Sequence, residues 1–134
     1  GMPLIYNGQE AGNTKRLAFF DKDPIEWQKH PYEDLFRRLI ELKKSHSTLW
    51  NGQWGADMLQ VMNNAASSIF SFVRVNEQDK VFAIFNFSDE AKSVTFSGNL
   101  YPGEYSDFAT GDQVVLNNDL KLDMPAWSYR IFTQ

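Results

Sequence analysis

Apolar and polar positions along this chain follow two different periods, and the switch falls near residue 47. Before it lies a helical pattern. From Pro31 to about His46, Leu35, Phe36, Leu39, Ile40 and Leu42 share one helical face, while Arg37, Arg38, Glu41, Lys43 and Lys44 fall mostly on the other. Pro31 suits the first helical position, because its missing N–H has no partner there anyway. Glu33 and Asp34 complement the positive start of the helix, and Lys43, Lys44 and His46 its negative end. Upstream, Leu4-Ile5-Tyr6 is a short apolar run stopped by Asn7-Gly8, which predicts a strand and a turn. Glu10 to His30 reads as a long polar loop carrying Phe19, Phe20 and Trp27.

After Trp50 the pattern becomes short β-type runs separated by turn residues. The runs are Met58 to Met62, Ile69 to Val75, Val81 to Phe87, Ser93 to Phe96, Glu104 to Phe108, Gln113 to Leu116, Leu120 to Met124 and Trp127 to Thr133. Asn63-Asn64, Asn76-Glu77-Gln78-Asp79, Ser97-Gly98-Asn99, Gly111-Asp112 and Asn117-Asn118-Asp119 punctuate them. Seven or eight strands at this spacing predict an antiparallel β-sandwich. Ile69 to Val73 and Val81 to Phe85 are apolar on both alternating faces, so these strands are expected to be central and covered on both sides. Leu120, Leu122 and Met124 alternate with Lys121 and Asp123, a strand wetted on one face. The fold class is therefore mainly β, with one short strand and one amphipathic helix ahead of the sandwich.

Composition narrows the chemistry. The 134 residues, 43% apolar and 15% aromatic, suit a packed core, and a chain this long folds without covalent staples. No cysteine means no disulfide, no thiol nucleophile and no Cys-ligated metal. A net charge of -4, with both signs spread along the chain, gives no footprint for nucleic acid or an anionic membrane. The longest apolar run is far below the roughly 18 residues of a membrane span.

Catalytic motifs are missing: there is no G-x-S-x-G elbow, phosphate-binding glycine loop, dinucleotide fingerprint or H-E-x-x-H helix. His30 and His46 flank the helix ends, where capping or surface roles are expected. Glu10, Asp21, Asp23 and Glu26 form the densest carboxylate group. A glycosidase needs just two carboxylates across the sugar, but nothing apolar beside these raises one pKa selectively, so they read as loop charges and turn formers. Asp21-x-Asp23 lacks the later ligands and glycine of a calcium loop. No metal site and no cofactor are expected. Trp50 and Trp54, in Leu49-Trp50-Asn51-Gly52-Gln53-Trp54-Gly55, have two readings: a plug at the junction of helix and sandwich, or a stacking platform for a pyranose ring.

The N-terminal segment carries a family signature. Gly1-Met2-Pro3-Leu4-Ile5-Tyr6-Asn7-Gly8-Gln9-Glu10 resembles the eighth barrel strand of the α-amylase family of glycoside hydrolases, family 13, whose usual form is G-x-P-x-I-Y-x-G-x-E. Arg16 with Phe19-Phe20-Asp21-Lys22-Asp23-Pro24-Ile25-Glu26-Trp27 resembles the stretch that follows that strand, and Leu35 to Leu49 the eighth barrel helix running into its linker. The remainder is similar to the family's C-terminal antiparallel β-domain, including the closing Pro125-Ala126-Trp127-Ser128-Tyr129-Arg130-Ile131-Phe132.

The resemblance implies residues 1–47 as a remnant of the eighth β/α unit of a (β/α)8 barrel and 48–134 as the C-terminal β-sandwich domain. In the family, the nucleophile, the general acid and the transition-state-stabilising aspartate lie after strands four, five and seven, ahead of anything in this chain. No catalytic residue carries over, and the Asn-His-Asp type of motif before strand eight is also absent. Asn7, Gln9 and Glu10 carry over by position, following the strand's C-terminal end where barrel enzymes place their active sites. The implied function is a non-catalytic C-terminal fragment of an α-amylase-like hydrolase of α-1,4-glucans, its β-domain stabilising the barrel. The alternative is a carbohydrate-binding module using Trp50 and Trp54. The missing N-terminal barrel is the expected partner, with α-glucan a second. Without strand partners, Met2 to Trp27 is expected to be disordered, to refold onto the sandwich or to pair with another copy through a swapped or edge-to-edge contact, a homodimer through the exposed segment being the preferred outcome. Gly1-Met2 reads either as native motif or as a remnant ahead of a start methionine.

Overall fold

The computed structural model describes residues 2–134; Gly1, the first residue of the barrel-strand motif, lies outside them. The chain divides into two compact units, one ending at Ser45 and one running from His46 to Gln134.

In the first unit, helix α1 spans Pro31–Ser45, with Glu33 and Asp34 in its first turn and Lys43 and Lys44 in its last. Arg37 pairs with Asp34 one turn back and with Glu41 one turn on, along the exposed side. His30 caps the start: its Nδ1 accepts from the Tyr32 N–H at 3.3 Å. Its ring also lies against Gly12, where a Cβ would come within 2.5 Å of the imidazole. No residue of α1 is fully buried, and its apolar side chains Leu35, Phe36, Leu39 and Leu42 are half-buried.

Leu4-Ile5-Tyr6 corrects the sequence reading, because no strand forms there. A strand exists only through ladder partners, and none of the described residues pairs with this segment. Asn7 to Gly12 forms the expected turn.

The second unit is a two-sheet antiparallel sandwich. Its strands are β1 Leu59–Gln60, β2 Met62–Asn63, β3 Ile69–Val75, β4 Lys80–Asn86, β5 Lys92–Ser97, β6 Gly103–Asp107, β7 Gln113–Leu116, β8 Lys121–Met124 and β9 Tyr129–Thr133. The six-stranded sheet runs β1-β3-β4-β9-β6-β7 and the three-stranded sheet β2-β5-β8. The run Met58 to Met62, expected as one strand, is divided: β1 pairs with β3 and β2 with β5. One stretch therefore edges both sheets. Buried Val61 marks the crossing, its N–H donating to the Ser71 carbonyl at 2.9 Å while the Ser71 hydroxyl donates back to the Val61 carbonyl at 2.8 Å.

β4 is covered on both faces, with Val81, Phe82, Ala83 and Ile84 all buried. β3 meets that expectation on one face only: Ile69, Ser71 and Val73 are buried, whereas Phe70, Phe72 and Arg74 are half-buried. Between the sheets, Phe82, Ile84 and Phe132 of the larger sheet face Val94, Phe96 and Met124 of the smaller in one core cluster. The Phe82 ring is its hub, with Phe96, Tyr101 and Phe132 at 5.5, 5.6 and 6.1 Å between centroids. The outer faces differ. The smaller sheet turns Ser93, Thr95, Ser97, Lys121 and Asp123 to solvent. The larger carries a ladder of rings, Phe70 to Phe72 at 5.4 Å, Phe72 to Phe85 at 6.2 Å, and Phe85 to Phe87 at 5.7 Å and nearly parallel.

Candidate functional site

Asn7, Gln9 and Glu10 sit in a tight turn that their own backbone defines. Gln9 N–H donates to the Tyr6 carbonyl at 3.1 Å, Gly12 N–H to the Gln9 carbonyl at 3.0 Å, and Asn13 N–H to the Gly8 carbonyl at 2.9 Å. Gly8 adopts φ +83°, the left-handed region that favours glycine. The Gln9 side chain folds back so that its Oε1 accepts from Tyr6 N–H at 2.7 Å, which commits it to the turn. Asn7 is exposed; Glu10 is half-buried, with its Oε2 enclosed and without a hydrogen-bond partner.

The neighbouring carboxylates have mixed roles. Asp23 ties the loop together by accepting from Lys15 and, at 2.8 Å, from Ala18 N–H. The Lys15 bond first, then the Ala18 amide, holds its carboxyl below the ordinary aspartate range, the opposite of what a general acid requires. Asp21 and Glu26 are exposed. Among the described residues no group of three or more His, Asp or Glu side chains is placed to hold a metal ion, and no helix is long and apolar enough to cross a membrane.

Trp50 and Trp54 lie on a loop built from two short 3₁₀ turns, Ser47–Leu49 and Gly52–Trp54. Two charged residues of the sandwich fix it. Asp79 accepts from Ser47 N–H and the Ser47 hydroxyl, each at 2.8 Å, and from Thr48 N–H at 3.1 Å. Arg74 donates from Nε to the Ala56 carbonyl at 2.8 Å and from Nη2 to the Trp50 carbonyl at 3.1 Å. The loop closes so tightly that a Cβ on Gly55 would fall 2.0 Å from the Trp50 carbonyl oxygen. With the backbone pinned, the indoles face out: Trp50 is 46% and Trp54 70% exposed. Beside them opens a shallow cleft of about 550 Å³ lined by Gln53, Asp57, Leu59 and Asn76 among others. Sequence reasoning named both tryptophans but not their clamps, because Arg74 and Asp79 reach backbone 18 to 32 residues away in the chain, a link that no local pattern shows.

A third feature was not singled out from the sequence. At the far end of β4, Phe87 is 63% exposed, Trp127 68% and Tyr129 38%. Trp127 alone among the described non-glycine residues has a positive φ, +53°, held where its N–H donates to the Ser88 carbonyl at 3.0 Å.

The second unit is thus an all-β domain of two packed antiparallel sheets. Residues 60–131 match the family model of the alpha amylase C-terminal all-beta domain, and the chain belongs to that family. Among curated proteins, alpha-amylase 2 of Dictyoglomus thermophilum is 25% identical, the match covering 90% of this chain and 21% of that protein. A maltogenic α-amylase from Thermotoga neapolitana superposes with a TM-score of 0.79 at 20% identity, over 100% of this chain and 33% of its own. The α-amylase of Geobacillus thermoleovorans, solved with acarbose, gives a TM-score of 0.75 at 15% identity over 99% and 29%. The chain thus spans about a fifth of the curated relative's length and about a third or less of these two structures.

Proposed function

We propose that this chain is a non-catalytic C-terminal part of an α-amylase-like glycoside hydrolase acting on α-1,4-glucans. Residues 48–134 are the β-domain that packs on and stabilises the barrel, and residues 1–47 are what the chain retains of the barrel's eighth β/α unit. One observation carries the reading: a family match over 60–131 in a chain that spans only a fifth of its curated relative. The unpaired segment Leu4 to Tyr6 supports it, since an apolar run with no ladder partner in the chain suits a strand whose neighbours belong to the missing barrel. Asn7, Gln9 and Glu10 then border the glucan cleft of the intact parent without entering the chemistry. The purified chain, incubated with soluble starch or maltoheptaose, is expected to release no reducing sugar; release at ordinary enzymatic turnover overturns the assignment.

A second reading, glucan binding at Trp50 and Trp54, is favoured by the clamped loop and by the exposure of Trp54 beside an open polar-edged cleft. Rigid, exposed rings next to hydrogen-bonding groups are what pyranose stacking uses. Titration with maltoheptaose, followed by tryptophan fluorescence, tests it, and a flat response removes it.

A further inference from the structure

The two outer faces of the sandwich are chemically opposite, and this contrast says which one is meant to be covered. Ser93, Thr95, Ser97, Lys121 and Asp123 make the smaller sheet's outer face fit for water. On the larger sheet, half-buried Phe70, Phe72 and Phe85 lead to exposed Phe87 and Tyr129, with Phe85 5.7 Å from Phe87 and 6.5 Å from Tyr129 between centroids, and exposed Trp127 lies in the turn beside them, its N–H bonded to the carbonyl of Ser88, the residue after Phe87. An aromatic side chain buries roughly 150–250 Å² when covered. Three exposed rings therefore make a patch of the few-hundred-Å² size that marks an interaction surface. Trp127 adds a second observation: its backbone sits in a conformation costing a non-glycine residue about 1–2 kcal/mol, while its ring is left mostly in solvent. The fold of this chain gains little from that ring.

Resting on the proposal that a barrel is the partner, we infer that the aromatic end of the six-stranded sheet, centred on Phe87, Trp127 and Tyr129, is the surface that the barrel covers. Relatives carry two thirds or more of their length beyond the part this chain matches, enough chain to supply a cover of that size. Phenylalanine side chains have no group to bond a sugar hydroxyl, so a ladder made largely of them suits apolar protein surface rather than glucan.

Hydroxyl-radical footprinting, read by peptide mass spectrometry, tests this on the 134-residue chain and on the full-length parent that contains it. Oxidation of Phe87, Trp127 and Tyr129 is expected to fall at least about tenfold in the parent, following their loss of solvent contact. Met62, 59% exposed on the opposite sheet, oxidises equally in both. Equal rates at the three aromatics in an active parent overturn the choice of face and leave the barrel reading standing. A coding sequence with no in-frame barrel upstream overturns the barrel reading itself. Trp127→Gly, which suits φ +53°, separates docking from folding: it is expected not to lower the melting temperature of the chain, because glycine relieves the backbone cost, and to lower that of the parent. A fall of equal size in both, or maltoheptaose protecting Trp127 in the chain alone, also overturns the inference.

Discussion

At the scale of single residues, one side chain that ties the sandwich together is a buried amide. Asn86, 2% exposed at the end of β4, donates from Nδ2 to the carbonyls of Glu90, Met124 and Pro125 at 2.7, 3.2 and 2.9 Å. Its Oδ1 accepts from the Ser88 N–H at 3.0 Å and the Ser88 hydroxyl at 2.7 Å. It therefore joins the six-stranded sheet to the end of β8 in the other. Asn86→Ala strands several of these groups away from water, and the expected loss is about 3 kcal/mol or more in urea unfolding; a loss below about 1 kcal/mol would show that the amide is replaceable. None of this was legible in sequence, where Asn86 is merely a polar residue in an apolar run and two of its partners lie 38 and 39 residues away. Asp79 gives a pH-dependent case. Burial pushes its carboxyl up, but hydrogen bonds from Thr48 and Ser47 outweigh it and hold the group below its ordinary value. Stability from Asp79 is thus complete above the unfolded-state pKa of roughly 4 and is lost as pH falls through the lower folded value. Asp79→Asn is expected to narrow the gap between urea midpoints measured at about pH 3 and about pH 6. An unchanged gap would mean that the clamp on Ser47 and Thr48 does not depend on charge.

At the scale of elements, what the sequence revealed depended on whether an element finds its partners among the described residues. Alternation located β3 to β9 closely, because each strand buries one or both faces within the same 134 residues. The helix was equally legible, since Pro31, the acidic first turn and the basic last turn are local signals. Leu4 to Tyr6 was not, because strand formation needs neighbours that alternation cannot supply. The split of β1 from β2 was hidden for a related reason: a change of sheet at Val61 keeps the same apolar pattern on both sides. These differences predict an uneven molecule. Helix α1 has 15 residues and no buried side chain, near the length at which isolated helices are marginal. The peptide 1–45 on its own is therefore expected to show weak helicity by circular dichroism. The fragment 46–134, which contains the whole core cluster, is expected to keep a single cooperative melt. A fragment 46–134 that melts without cooperativity would show that the first unit supplies part of the fold.

At the scale of the whole molecule, the two-sheet β-core was readable in the sequence, whereas the surfaces that could serve function were only partly so. Trp50 and Trp54 stood out as a pair; Phe87, Trp127 and Tyr129 did not, because exposed aromatics on strands look like core until topology assigns the faces. The core itself carries the last testable consequence. Tyr105 is buried and its hydroxyl donates to the Tyr101 carbonyl at 2.7 Å; Tyr101 is buried too and donates to the Asn118 carbonyl at 2.8 Å. These two links tie β6 and the segment before it to the loop ahead of β8. Burial pushes both phenols up, Tyr105 strongly, and for Tyr101 the charge of Asp119 adds to the effect. A phenol with a raised folded-state pKa contributes stability that is complete below the unfolded value of about 10 and is lost as pH rises further. The sandwich is therefore expected to have an alkaline unfolding limb in which part of the phenolate absorbance appears together with the loss of far-ultraviolet circular dichroism. Tyr105→Phe removes one of the two phenols and the bond to Tyr101. It is expected to cost about 1 kcal/mol at neutral pH and to make the alkaline limb shallower. If all the phenolate absorbance of the unaltered chain develops before the circular dichroism changes, these tyrosines ionise in the folded state and do not bind the sandwich into one cooperative unit.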